Sequence, residues 1–102
     1  MKRHPIAVPK DTIADFCRRH HIARLAFFGS VLRDDLRPDS DIDVLVDFEP
    51  GHVPGLALIR MEDELGAILG GRRIDLVTPK SLNRHIRNRI VAEAKPQYVA
   101  PR

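Results

Sequence analysis

Three carboxylates and one Gly-Ser pair are the residues of this chain whose types and spacing could do chemistry. Asp41 and Asp43 stand two apart in "SDIDVLVDF". In an extended strand, residues two apart project from one face with backbones roughly 6.6 Å apart, so both side chains can reach the same one or two cations. Without a cation, two like charges beside apolar strands repel. Magnesium commonly takes one or two protein carboxylates and completes its octahedron with water and phosphate oxygens. Asp75, in "RRIDLVT", interrupts an apolar run of the kind where Asp is depleted, and is the candidate third ligand. The competing explanation for Asp75 is an ion pair with Arg72 or Arg73; for Asp41 and Asp43 it is a solvated strand entry. Gly29-Ser30 closes the run "ARLAFF". Glycine permits a tight turn and a close backbone approach. If Ser30 opens a short helix through "SVLRDDL", its backbone N–H groups and hydroxyl face an anion. Phosphates held there would lie over Asp41 and Asp43, which together make a nucleoside triphosphate site.

The elements that must position these residues follow from periodicity. From Pro9 to His21, Ile13, Phe16 and Cys17 fall at helical spacing and Asp11 suits the helix start. Ala23 to Phe28 reads as a buried strand ended by Gly29. In "DIDVLVDF", Ile42, Val44, Val46 and Phe48 share one face, expected in the core. Asp41, Asp43, Leu45 and Asp47 share the other, expected to meet water, cations or ligand. A Pro/Gly-rich loop leads to a helix from about Leu56 to Leu69, with Leu58, Met61, Leu65, Ile68 and Leu69 inward. "RRIDLVT" is a third strand. A last helix runs from about Lys80 to Ala94, with Leu82, Ile86 and Ile90 inward, and Pro96 ends it. The reading is a small α/β sandwich around a three-stranded sheet.

Gly29-Ser30, ten residues, then Asp41-x-Asp43 resembles the signature of the polymerase-beta-like nucleotidyltransferase superfamily. "FFGS…R…SDIDVLV" followed by "RIDLV" resembles its minimal nucleotidyltransferase (MNT) branch, over essentially the whole chain. The resemblance implies one domain over residues 1–102, a three-stranded mixed sheet packed with about four helices. It implies that Gly29 and Ser30 hold the triphosphate, with Arg33 and Ser40 as further nucleotide-binding positions. Asp41, Asp43 and Asp75 become the catalytic metal ligands, and Asp75 can also accept the attacking hydroxyl's proton. Val31 and Leu32 depart from the small residue and arginine that many relatives carry after Gly-Ser.

The same resemblance implies two Mg2+ ions, ATP as substrate, and AMP transfer to a hydroxyl. Minimal relatives act as antitoxins beside a helical HEPN toxin and can adenylylate a toxin tyrosine, so a HEPN-type toxin is the expected partner in a homo- or hetero-oligomer. Two alternatives stay open: an antitoxin that blocks its toxin by contact alone, and a small-molecule nucleotidyltransferase. The second would need room for a substrate domain.

Composition is consistent with these expectations. The 102 residues are 43% hydrophobic and 30% charged, as in a soluble globular domain. No apolar run approaches the roughly 20 residues of a membrane span, and "MKRHPIAVPK" lacks the pattern of a secretory signal. One cysteine, Cys17, cannot form an internal disulfide, which fits a reducing cytoplasm. Net charge is +3, and thirteen of the seventeen cations are arginine, a residue suited to carboxylate or phosphate contacts. Direct nucleic-acid binding is not expected. Lys80, Arg84 and Arg87 form a basic stripe on the last helix, and His20-His21 reads as a helix end rather than a metal site.

Overall fold

A computed structural model describes residues 8–32, 40–52 and 54–101. Helix α1 (Lys10–Arg19) carries Asp11 in its first turn and Arg18 and Arg19 in its last, each matching the helix dipole. Its inner stripe, Ile13, Phe16 and Cys17, is fully buried. Burial pushes the Cys17 thiol up to about 12, so this sulfur is a packing group and not a nucleophile.

Strand β1 (Ile22–Phe28) follows, then a single 3-10 turn at Gly29–Leu32 and strand β2 (Ile42–Phe48). Helix α2 (Ala57–Ile68) is the crossover between β2 and β3 (Ile74–Val77), which lie parallel, as a connection of this length allows. A second 3-10 turn, Pro79–Ser81, leads to α3 (Arg84–Glu93) and β4 (Lys95–Val99). The sheet order is β3-β2-β1-β4, with β1 antiparallel to both β2 and β4.

The sheet therefore has four strands, one more than the sequence suggests. Pro96 reads as a helix stop, yet it sits inside β4, opposite Ala26. Proline is tolerated in an edge strand because one side of that strand needs no ladder donor.

Both faces of the sheet are covered. Ile13, Phe16 and Cys17 of α1 and Met61, Leu65 and Leu69 from α2 and its end pack with Leu25, Phe27, Ile42, Val44 and Val46. On the other face Ala26, Leu45 and Ala94 are buried, flanked by Leu82, Ile90 and Val91. Leu45 thus belongs to a second small core, not to a solvated acidic face. Residues 25–27 and 44–46 are buried in succession, as expected for central strands covered on both sides.

α3 is the lightest-packed helix, with no buried residue of its own. Ile86, expected inward, is 37% exposed. The helix begins four residues later than its periodicity suggests, because Thr78 and Ser81 form a capping box around the 3-10 turn and Asn83 then caps α3 through the His85 N–H. Among the described residues, no helix is long and apolar enough to cross a membrane.

Candidate active site

The antiparallel pairing of β1 and β2 brings the end of one strand to the start of the other. Phe28, the last residue of β1, is the register partner of Asp43. The chain must leave the sheet at once, and Gly29 does so with φ +77°, a conformation that costs a residue with a Cβ roughly 1–2 kcal/mol. A second constraint acts on the same atom. A Cβ at position 29 would collide with Oδ2 of Asp43 and stand 3.2 Å from its Cγ. The space a side chain would fill is occupied by the carboxylate, so Gly29 and Asp43 are fitted to each other. Ser30 lies in the turn that follows, half-buried, and Val31, only 2% exposed, pins that turn into the main core.

Pairing of β2 with β3 supplies the rest. In the parallel register Asp43 stands beside Asp75, on strands about 4.8 Å apart. Two like charges directly across neighbouring strands are destabilising. Asp75 is exposed on the edge strand, open to whatever approaches.

Two residues earlier on each segment, Asp41 meets Arg73, with Nε 3.2 Å from Oδ1. The Ile42 N–H donates to the Arg73 carbonyl at 2.9 Å, and Arg72 Nη2 donates to the Ser40 carbonyl at 3.0 Å. The two arginines offered by sequence as partners for Asp75 are thus engaged with the segment that precedes β2. Arg73 forms an exposed ion pair with Asp41, and Arg72 ties the Ser40 backbone to the segment that leads into β3.

Of the predicted residues, the fold brings together Gly29, Ser30, Asp43 and Asp75, with Asp41 and Ser40 at the same end of the sheet. Arg33 lies outside the described residues. The oxygens of Asp41, Asp43 and Asp75 do not form a group mutually within 4.8 Å, and Asp41 Oδ1 is paired with Arg73. The donor set nevertheless fits a hard divalent cation: it is all oxygen, it contains an adjacent like-charge pair, and the missing Cβ of Gly29 leaves the space that one carboxylate occupies.

Sequence reasoning missed Arg72 and Arg73 as braces. Their two-residue offset from Ile74 and Asp75 was visible, but the register with Ser40 and Asp41 was not. It also placed Arg87 in a basic stripe. Arg87 instead donates to the carbonyls of Pro79, at 2.6 Å, and Leu82, at 3.1 Å, fastening α3 to the turn before it. Lys80 and Arg84 remain exposed.

Comparison with known proteins bears on the family and the fold. The model of the nucleotidyltransferase domain family matches residues 10–97. The chain is 35% identical over 85 residues to MJ0435 of Methanocaldococcus jannaschii, covering 83% of this chain and 89% of that one. It is 40% identical over 76 residues to the protein adenylyltransferase MntA of Thermococcus cleftensis, covering 74% of each. A solved minimal nucleotidyltransferase superposes with a TM-score of 0.72 at 37% identity, over 85% of this chain and 87% of that one. A toxin–antitoxin structure with AMP-PNP shares the fold, with a TM-score of 0.72 at 19% identity over 90% of this chain and 74% of that one.

Proposed function

Because the chain belongs to the nucleotidyltransferase domain family, we propose that it transfers AMP from ATP to a hydroxyl of a partner protein, a tyrosine of a HEPN-type toxin. The observation that carries the reading is the fit of Gly29 against Asp43, with Asp43 in register beside Asp75. The name of the Thermococcus cleftensis relative, a protein adenylyltransferase, supports a protein acceptor. The partner is supported by the MNT resemblance and by a fold shared with a toxin–antitoxin structure.

In the proposed reaction the acceptor oxygen attacks the α-phosphorus of ATP. The bond from that phosphorus to the bridging oxygen of the β-phosphate breaks, and pyrophosphate leaves. Asp75, exposed and flanking the like-charged Asp43, takes the hydroxyl proton. The Gly29–Leu32 turn, anchored by Val31, offers Ser30 to the triphosphate. Magnesium held by Asp41, Asp43 and Asp75 would supply charge neutralisation for the phosphates and the leaving group. The chain's own contribution is position and electrostatics: Gly29 keeps the approach open, and Arg72 and Arg73 hold the entry of β2 to β3.

The test is incubation of the chain with ATP, magnesium and a HEPN-type toxin as the proposed partner. Mass spectrometry of the partner is expected to show one added nucleoside monophosphate on a hydroxyl side chain. Asp41→Asn with Asp43→Asn is expected to abolish that addition and the rescue from toxicity. Full rescue by the double variant, with unmodified partner in wild-type cells, would replace the enzyme with an antitoxin that acts by contact.

A further inference from the structure

The opposite end of β1 and β2 carries a second cluster of ligating groups. His21, Glu49 and His52 each offer one ligand atom, and these atoms lie within 4.8 Å of one another. Three local features converge there. His21 adopts φ +58°, the one non-glycine residue in the left-handed region among the described residues, a conformation whose strain marks sites that the surroundings hold in place. Its carbonyl accepts the Glu49 N–H at 2.8 Å, and a register shift in the β1–β2 ladder falls between Ile22 and Arg24, the kind of bulge that re-aims side chains. Glu49-Pro50-Gly51-His52 is a tight turn closed by the His52 N–H on the Glu49 carbonyl at 3.0 Å. Gly51 has φ +84°, as the third position of a type II turn requires, after proline at the second. This turn sets Glu49 and His52 side by side.

We propose that His21, Glu49 and His52 form a binding site for a borderline divalent cation of the zinc class, separate from the acidic end of the sheet. Two imidazoles and one carboxylate suit zinc, nickel or cobalt, whereas magnesium prefers oxygen alone. Tetrahedral zinc with bonds near 2.0–2.1 Å puts neighbouring ligand atoms about 3.3–3.4 Å apart. His21 Nδ1 and Glu49 Oε1 already stand 3.6 Å apart. The two imidazole rings are stacked, with centroids 3.8 Å apart and planes 13° apart, so sharing an ion requires them to splay, which exposed side chains can do. Three protein ligands leave a fourth position. A groove of about 370 Å³ lies beside it, and Glu49 and His52 are in its wall with Asp47 and Lys80.

The site joins the start of β1 to the loop after β2, and an ion there would brace that loop. The test uses untagged full chain carrying Asp41→Asn and Asp43→Asn, in excess magnesium, so that the acidic end does not compete. Titration with Zn2+ is expected to show one equivalent bound, and Co2+ in its place to give tetrahedral visible absorption bands. His52→Ala and Glu49→Gln should each weaken Zn2+ binding about tenfold or more, with unchanged far-UV circular dichroism. His21→Asn, which keeps a residue tolerant of the left-handed conformation, should do the same. Equal Zn2+ affinity in the His52→Ala chain, or no binding by the parent at millimolar Zn2+, would overturn the site.

Discussion

The two ends of the β1–β2 pair contain different chemistry on the same scaffold. At one end, Gly29, Asp43 and Asp75 place carboxylate oxygens beside a turn; at the other, His21, Glu49 and His52 place two imidazoles and a carboxylate beside a bulge. Seven-residue strands separate them by roughly 20 Å at strand rise. At the acidic end Asp41 and Asp43 come two apart from one stretch of chain, and only the β2–β3 register adds Asp75. The histidine end is built by pairing, which joins residues about thirty positions apart. Chemistry written along one strand is readable from its spacing, whereas chemistry written across a ladder requires the register.

The largest effect expected from breaking this contrast is at Asp43. Asp43→Asn should lower AMP transfer by more than about 100-fold, since it removes a carboxylate that holds several kcal/mol of charge stabilisation. The melting temperature should hold or rise slightly, because the substitution relieves repulsion with Asp75. A large fall in the melting temperature of the metal-free chain would make Asp43 a structural residue. Zn2+ binding at the histidine end should be unaffected.

Gly29→Ala sharpens the same end from the backbone side. It places a Cβ against Asp43 Oδ2 and forces alanine into φ +77°. The conformational cost of about 1–2 kcal/mol corresponds to a melting point lower by about 4–8 °C per kcal/mol, with transfer reduced as Asp43 is displaced. An unchanged melting point and rate would show that the turn does not require glycine.

How far the sequence could be read follows the same division. Asp41, Asp43, Gly29 and Ser30 were legible because their offsets are local to a strand and a turn. Strand β4 was not, because Pro96 has a familiar meaning after a helix and another at a sheet edge. The acidic neighbours of Leu45 point to a wet face, and its burial is explained only by Ala94 and α3. His20-His21 read as a helix end, and His20 indeed caps α1 while hydrogen bonded to Glu64. Nothing local to His21 could show that Glu49 and His52 return to it.

Smaller effects distinguish supports from ligands. Glu64 joins α2 to α1 by accepting from Arg19 and meeting His20, and the hydrogen bond from Arg19 holds its carboxyl below the ordinary range, with His20 adding to the effect. A lowered carboxyl pKa stabilises the fold above the unfolded value, about 4.3, and that contribution disappears as pH falls through the folded value. Thermal melts of wild type and Glu64→Gln should therefore differ modestly at pH 7 and converge at strongly acidic pH. A gap that persists unchanged there would assign the effect to packing. Least of all, Arg73→Gln should alter stability by less than about 1 kcal/mol, since its pair with Asp41 is exposed. A loss beyond that in urea melts would make the pair a structural tie.

The central claim is that the acidic end of the sheet binds nucleotide through cation-holding carboxylates. Calorimetric titration of the chain with ATP tests it most directly, run in magnesium and again in excess chelator, with Asp43→Asn in parallel. Binding is expected in magnesium, and its loss is expected both with chelator and in the variant. Equal ATP affinity with and without magnesium would contradict it.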